Sequence, residues 1–207
     1  MREKAVICDI DGVILDSSQV FKEIEEQGLT GDAKWEYFDR HANGLHVYPE
    51  KRMIEIIHNF YEKGYKIIFL TARSARIRGK TTSRLFVEFD FFDCPLEEFD
   101  MYMRPEGDYS PSAEVKEKYL KLIKEKYDIL CAFDDDDSNC AMFERNNILT
   151  FKVVNKENKG DLQLKEELKT LKDTNKACEE EYKRLVGQYN ALLEQNTALQ
   201  SALKEKV

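Results

Sequence analysis

Two clusters of carboxylates far apart in the chain are the residues best able to do chemistry. Asp9-Ile10-Asp11-Gly12-Val13 follows the apolar run Ala5-Val6-Ile7-Cys8, and Asp134-Asp135-Asp136-Asp137 follows Ile129-Leu130-Cys131-Ala132-Phe133. Alternation along an extended chain points Asp9 and Asp11 the same way at the exit of the first run. A turn with solvated acids accounts for Asp11 and Gly12 but not for Asp9. Four adjacent carboxylates behind a buried strand repel one another and raise each other's pKa. A solvated acidic loop is one way to carry them. The placing of Asp9, Asp11, Asp134 and Asp135 favours another, a divalent cation with oxygen ligands, Mg2+ foremost. Thr71-Ala72-Arg73, after the apolar run 66–70, offers a hydroxyl and backbone N–H groups that suit a phosphoryl oxygen or a helix start equally well. Lys116 alone reads as a surface helix lysine and gains meaning only beside the other three sites.

The elements that must position these residues are legible as alternating patterns. Runs 5–8, 66–70, 129–133 and 150–154, with 99–103 as a fifth, are short, β-branched and nearly continuous in apolar character, as buried parallel strands are. Between them, Met53, Ile54, Ile57, Phe60 and Tyr61 share one helical face, opened by Pro49 and closed by Gly64. Val115, Tyr119, Leu122, Ile123 and Tyr127 share another. Strand and helix in alternation predict a doubly wound α/β domain with its ligands at the carboxyl ends of the strands. Residues 17–48 interrupt the alternation, charged and irregular, with Trp35, Tyr37 and Phe38 together, and fit a small lid. Those aromatics could stack a nucleobase or simply form the lid's own core.

The last 44 residues follow a different rule. Leu164, Leu168, Leu171, Asn175, Cys178, Tyr182, Leu185, Tyr189, Leu192, Asn196, Leu199 and Leu203 alternate by four and three, a heptad seam. Leucine at d with asparagine at a favours a parallel homodimer through 164–203. A single amphipathic helix laid on the domain is the alternative. At 1.5 Å per residue the helix would reach roughly 65 Å. The expected division is therefore a domain at 1–157, with 17–48 as its insertion, and a coiled coil at 161–207.

Charge and composition narrow the partners. The chain of 207 residues has a net charge of -8, all of it in the first 158 residues, which carry 23 basic and 31 acidic groups. Such a domain is no general nucleic-acid binder, so an anionic substrate needs a local basic patch or bound cations. Arg73, Arg76, Arg78, Lys80 and Arg84 supply one, with no acid between Thr71 and Val87. It reads as a landing surface for a phosphodiester or a nucleotide, or else as a solvated basic loop. Mean hydropathy of -0.59 and no 18-residue apolar run argue against a membrane span. An N-terminus charged from its second residue argues against a secretory signal. Five cysteines without CxxC spacing read as reduced residues of a cytoplasmic protein. His41, His46 and His58 have no ligand-like spacing.

Taken together, the acid pair, threonine, lysine and second acid pair, each after its strand or helix, resemble the haloacid-dehalogenase superfamily of aspartate-nucleophile phosphotransferases. The resemblance covers residues 1 to about 155. Thr71-Ala72-Arg73, Met103-Arg104-Pro105-Glu106-Gly107-Asp108, Val115-Lys116 and Ala132 through Met142 narrow it to the 3'-phosphatase domain of phage-type polynucleotide kinase-phosphatases. Gly79-Lys80-Thr81 has Ser74 where a phosphate loop needs glycine, so no kinase module is expected, and the heptad tail departs from that family. The resemblance implies a HAD-like Rossmannoid sheet and a Mg2+-dependent phosphomonoesterase. In it Asp9 is the nucleophile, forming an aspartyl-phosphate, and Asp11 the general acid and base. Thr71 and Lys116 grip phosphoryl oxygens, with Lys116 also neutralising the acid cluster. Arg104 joins the basic strip in binding substrate, and the metal is held by the Asp9 side chain, the Asp11 carbonyl and Asp134, with Asp135 directly or through water. The expected substrate is a phosphorylated nucleic-acid 3'-end. A nucleotide or other small phosphate ester under a closing lid is a second reading, and a coiled-coil interaction protein on a phosphatase-like scaffold a third.

Overall fold

The computed structural model describes residues 2–90 and 99–154. The heptad segment, with its expected helix and dimer seam, lies outside the described residues, as do Cys94 and Cys178. The chain enters through β1 (Glu3–Cys8), turns at Gly12, and passes through β2 (Leu15–Asp16) into helices α1 (Ser18–Glu26) and α2 (Gly31–His41). It returns through β3 (Tyr48–Pro49), which pairs antiparallel with β2. Helices and strands then alternate: α3 (Lys51–Glu62), β4 (Lys66–Ser74), α4 (Arg78–Asp90), β5 (Asp100–Arg104), α5 (Ser112–Lys126), β6 (Tyr127–Asp134), α6 (Asp137–Arg145) and β7 (Leu149–Lys152). A single 3-10 turn, Ala75–Ile77, joins β4 to α4.

Five strands make one parallel sheet in the order β5-β4-β1-β6-β7. Alternate residues feed two cores. Cys8, Ile67 and Phe69 face one side with Ile54, Ile57 and Phe89; Ile7, Ile68 and Leu70 face the other with Leu120, Met142 and Phe143. Burial on both faces is why these strands read as unbroken apolar runs. Each fully buried side chain of this size is worth roughly 1.5–3 kcal/mol. The chain starts mid-sheet, runs outward to β4 and β5, then crosses back to β6. The strand order thus reverses at the β1–β6 seam, the place where ligands of such sheets bind.

Three expectations need correction. β4 continues through Thr71 to Ser74 because β5 goes on pairing with it across a register shift between those residues. The polar character of that end hides it from hydropathy. Pro49 does not open α3; it pairs with Leu15 in the ribbon, and the helix begins at Lys51. Residues 17–48 are not irregular. Val20 and Ile24 of α1 and Phe38 of α2 are buried as one edge of the first core, and charged neighbours had masked that spacing. Among the described residues, Cys8, Cys131 and Cys140 are free and buried. No helix among the described residues is long and apolar enough to cross a membrane.

Gly12 turns the chain at φ +71°, and a Cβ there would collide with the Asp135 carboxylate. Gly28 has a similar φ of +63° with nothing within 4 Å. Gly12→Ala is expected to lower unfolding free energy by about 1–3 kcal/mol, and Gly28→Ala by about 1 kcal/mol from backbone strain alone. Equal losses in urea titrations of the two variants would show that Asp135 yields freely to the added methyl.

Candidate active site

Register places the two acid clusters side by side. Cys8 pairs with Phe133 across the β1–β6 seam, so the next residues, Asp9 and Asp134, leave adjacent strand ends together. The Asp9 N–H donates to the Phe133 carbonyl at 2.9 Å, fixing the exit of β1. Lys116 reaches in from α5 and sits between them. Its Nζ lies 2.7 Å from Asp9 Oδ2 and 2.7 Å from Asp134 Oδ2, with no surface exposed. A lysine that by itself would read as a surface residue, and that gains a role only beside the acids, is among the most buried side chains of the domain. It holds the two carboxylates and, like Asp134, does not itself line the cleft.

The four acids after β6 divide by role. Asp136 caps α6, accepting from the Ser138 and Asn139 N–H groups, and Asp137 pairs with Lys152. Asp134 accepts from Asn139 Nδ2 at 2.9 Å on its second oxygen. Asp135 stands against Gly12. Oxygens of Asp9, Asp134 and Asp135 lie within 4.8 Å of one another. Three carboxylates against one ammonium leave a negative surplus on hard oxygen donors, a set that fits a small divalent cation. Asp11 stays out of this side-chain cluster.

Asp11 is instead held by Arg73. Arg73 Nε and Nη2 donate to the two Asp11 oxygens at 2.8 and 2.7 Å, and Ser17 Oγ adds a third bond at 2.5 Å. The remaining Arg73 donors reach Asn43 Oδ1, Thr81 Oγ1 and the Ala42 carbonyl. One buried guanidinium therefore ties the site to the segment after α2 and to α4. Thr71, also buried, lines the cleft beside Arg73, and its hydroxyl accepts the Arg73 N–H.

Asp9, Asp11, Thr71, Arg73, Asp135 and Asn139 line a cleft of about 1360 Å3. Its walls include Phe21, Trp35 and Asp39 of the helical insertion and the loop after β5. Tyr37 is turned away, stacked on His41 and bonded to Glu23, and Phe38 is nearly buried beneath Phe21. The basic strip does not act as a unit. Arg73 is consumed by Asp11, Arg76 pairs with Asp39 at 2.7 Å, and Arg84 pairs with Glu88 and the Val47 carbonyl. Arg78 bonds the Met101 carbonyl, and Arg78, Lys80 and Arg84 do not line the cleft. Arg104 lines it, with Nε and Nη1 donating to the carbonyls of Ala72, Asp108 and Ser110. Arginine partners 37 and 62 residues away are invisible in a linear run. Ser17 and Asn139 were missed as well; Asn139 had a signal, its place one turn into a helix opened by an aspartate cap.

Burial lifts the Asp9 carboxyl to about 7, with the charges of Asp134 and Asp11 adding and Lys116 opposing. Asp135 rises to about 6, from burial first and Asp134 second. Lys116 is raised too: burial works against its charge, and the two carboxylates outweigh it. A carboxyl that holds its proton more tightly when folded favours the folded state at low pH. For Asp9 that contribution is complete below about pH 4 and is lost as pH climbs through about 7. In chelator, the thermal midpoint is therefore expected to drop from about pH 5 to about pH 8. Saturating divalent cation should shrink the drop, and a midpoint that rises over this interval in chelator would contradict the assignment.

The family model of the polynucleotide kinase PNKP phosphatase domain matches residues 3–161. No curated protein matches the chain. Among solved structures, the chain is similar to a member of a Pnkp1/Rnl/Hen1 RNA repair complex at 23% identity and a TM-score of 0.56, over 73% of this chain and 42% of that one. A second Pnkp1/Rnl/Hen1 structure gives 23%, 0.55, 73% and 46%. A class C acid phosphatase from Bacillus anthracis gives 16%, 0.50, 73% and 67%. The chain spans less than half the length of the first two, and at these identities the likeness shows the fold. The family match runs over most of the chain and takes in every one of the residues assembled at the β1–β6 seam: the chain belongs to the PNKP phosphatase-domain family of the haloacid-dehalogenase phosphatases and is an enzyme acting on phosphomonoesters.

Proposed function

We propose that the enzyme removes the 3'-phosphate from nucleic-acid ends, with Mg2+ held by Asp9, Asp134 and Asp135 and, as its relatives imply, by the Asp11 carbonyl. The observation that carries the polynucleotide reading, beside the family itself, is the cleft. At about 1360 Å3 it exceeds the roughly 300–1,000 Å3 usual for a small ligand. When bound, the cation screens the phosphate's charge from the nucleophile and stabilises charge on the transferring group.

The chain's own residues do the rest. Asp9 attacks phosphorus in line; the bond to the leaving oxygen breaks and an aspartyl-phosphate forms. Its Oδ1 is aimed by the Ile10 N–H at 2.7 Å and its Oδ2 by Lys116. Asp11 protonates the leaving oxygen and later takes a proton from the water that cleaves the intermediate, so the two half-reactions balance. With both oxygens accepting from Arg73 and one also from Ser17, Asp11 must give up a bond and take a proton from solvent before it can donate one to the leaving oxygen. The Thr71 hydroxyl, its oxygen already accepting from Arg73, keeps its own proton to donate to a phosphoryl oxygen.

Asp9→Asn is expected to cut kcat on a 3'-phosphorylated oligonucleotide by about 10^3-fold or more with the fold intact. Wild-type rates under that substitution would remove Asp9 from the chemistry. The cleft lining also carries Glu25, Asp32, Glu36 and Glu106, which outnumber Lys22 and Lys152 and repel the body of a polyanion. Only about two phosphates should therefore be engaged, and the slope of log(kcat/KM) against log salt should be near -1.4 for a single strand. A slope steeper than about -3 would revive the five-residue basic strip. Hydrolysis of mononucleotides with no gain on 3'-phosphorylated oligonucleotides would favour the small-substrate reading.

A further inference from the structure

The loop between β5 and α5 presents Tyr109 to solvent at 69% exposure on the wall of the cleft. A lone exposed aromatic is ordinary; the bracing around this one is not. Arg104 Nη1 donates to the carbonyls of Asp108 and Ser110, the residues on either side of Tyr109, at 3.1 and 2.5 Å. The same guanidinium is anchored to β4 through Nε and the Ala72 carbonyl at 2.9 Å. Asp108 Oδ1 accepts the Ser110 N–H at 2.9 Å, and the Asp108 N–H donates to Pro105 at 3.1 Å. Half-buried arginine and both flanking peptides are thus spent on holding a tyrosine out of the core.

The other aromatics of the cleft are already engaged. Phe21 is stacked on Phe38 at 4.9 Å, and Trp35 has Phe38 at its edge and Lys34 Nζ over its ring at 4.8 Å. Tyr109 has the most open ring on the wall. An open π-face carried on a braced backbone, on the wall of the same cleft as the acid cluster, suits a base attached to the phosphate's sugar, and stacking tolerates any base. It also adds affinity without a charge, which an acidic lining cannot supply.

We propose that Tyr109 is the stacking platform for the terminal nucleobase of the substrate, so that the enzyme recognises a based end over an abasic one whatever the sequence. This rests on the polynucleotide reading above. The test compares kcat/KM on a 3'-phosphorylated oligonucleotide, on the same strand with an abasic 3'-terminal nucleotide, and on glycerol phosphate, for wild type, Tyr109→Ala and Tyr109→Phe. Wild type should prefer the based end about tenfold, mostly through KM, as expected of one stacked base. Tyr109→Ala should erase that preference, and Tyr109→Phe should keep it. A preference that survives in Tyr109→Ala overturns the proposal. Equal rates on based and abasic ends, both above glycerol phosphate, also overturn it and leave the polynucleotide reading standing. If neither strand outpaces glycerol phosphate, that reading falls and this inference with it.

Discussion

An ammonium group with no access to solvent, wedged between two carboxylates from different strands, is the constraint on which the site depends. Lys116 touches Asp9 and Asp134 at the same 2.7 Å and so fixes how the ends of β1 and β6 face each other. Burying three charges is expensive, and such clusters seldom add net stability; removing one member leaves an unpaired buried charge and typically costs about 3–5 kcal/mol. What the arrangement secures is geometry. The lysine cancels one of the charges of Asp9, Asp134 and Asp135 and leaves the remainder on one side, open to a cation. A cluster fully neutralised by protein would have no use for a metal, and one with no lysine would hold its nucleophile loosely.

Arg73 is the counterpart for Asp11. Two aspartates separated by one residue are handed to two different cations, one from α5 and one from β4, and this sorts them into different tasks. Asp9 is pressed against the acid cluster, while Asp11 is drawn to the side of the insertion. Because Arg73 also bonds Ala42 and Asn43, any movement of the segment after α2 is felt at Asp11. Asp11 and the segment after α2 therefore share one guanidinium.

How much of this the sequence discloses follows from the range of each interaction. The strands were plain because burial on both faces writes itself as continuous apolar runs, and the acid pairs were plain because they stand where those runs stop. The order of strands brings Asp9 and Asp134 together, and that much follows from an alternating α/β pattern. The polar end of β4 and the helices at 18–41 were obscured by charged residues sharing a face with the buried ones. The basic strip is less available than its sequence suggests, for a sharper reason. Arg73 and Arg76 find their acids at Asp11 and Asp39, and Arg84 finds Glu88 just past the window that was free of acids. A run of positive charge in a sequence says nothing of how many charges survive pairing, and here most do not.

That loss of free cations bears on the kind of substrate the site suits. A protein that binds the middle of a strand needs a continuous basic groove, since each phosphate along it must be matched. This cleft has a lining with Glu25, Asp32, Glu36 and Glu106, and arginines already committed to Asp11, Asp39 and backbone carbonyls. Attraction is concentrated at the floor, where a cation beside Asp9 and Asp134 would be the strongest positive charge available. A phosphomonoester carries more charge than a diester and exists only at an end. On the proposed reading, an acidic lining around a cation-centred floor would disfavour internal phosphates by repulsion and favour terminal ones by local charge, the selectivity that end processing requires.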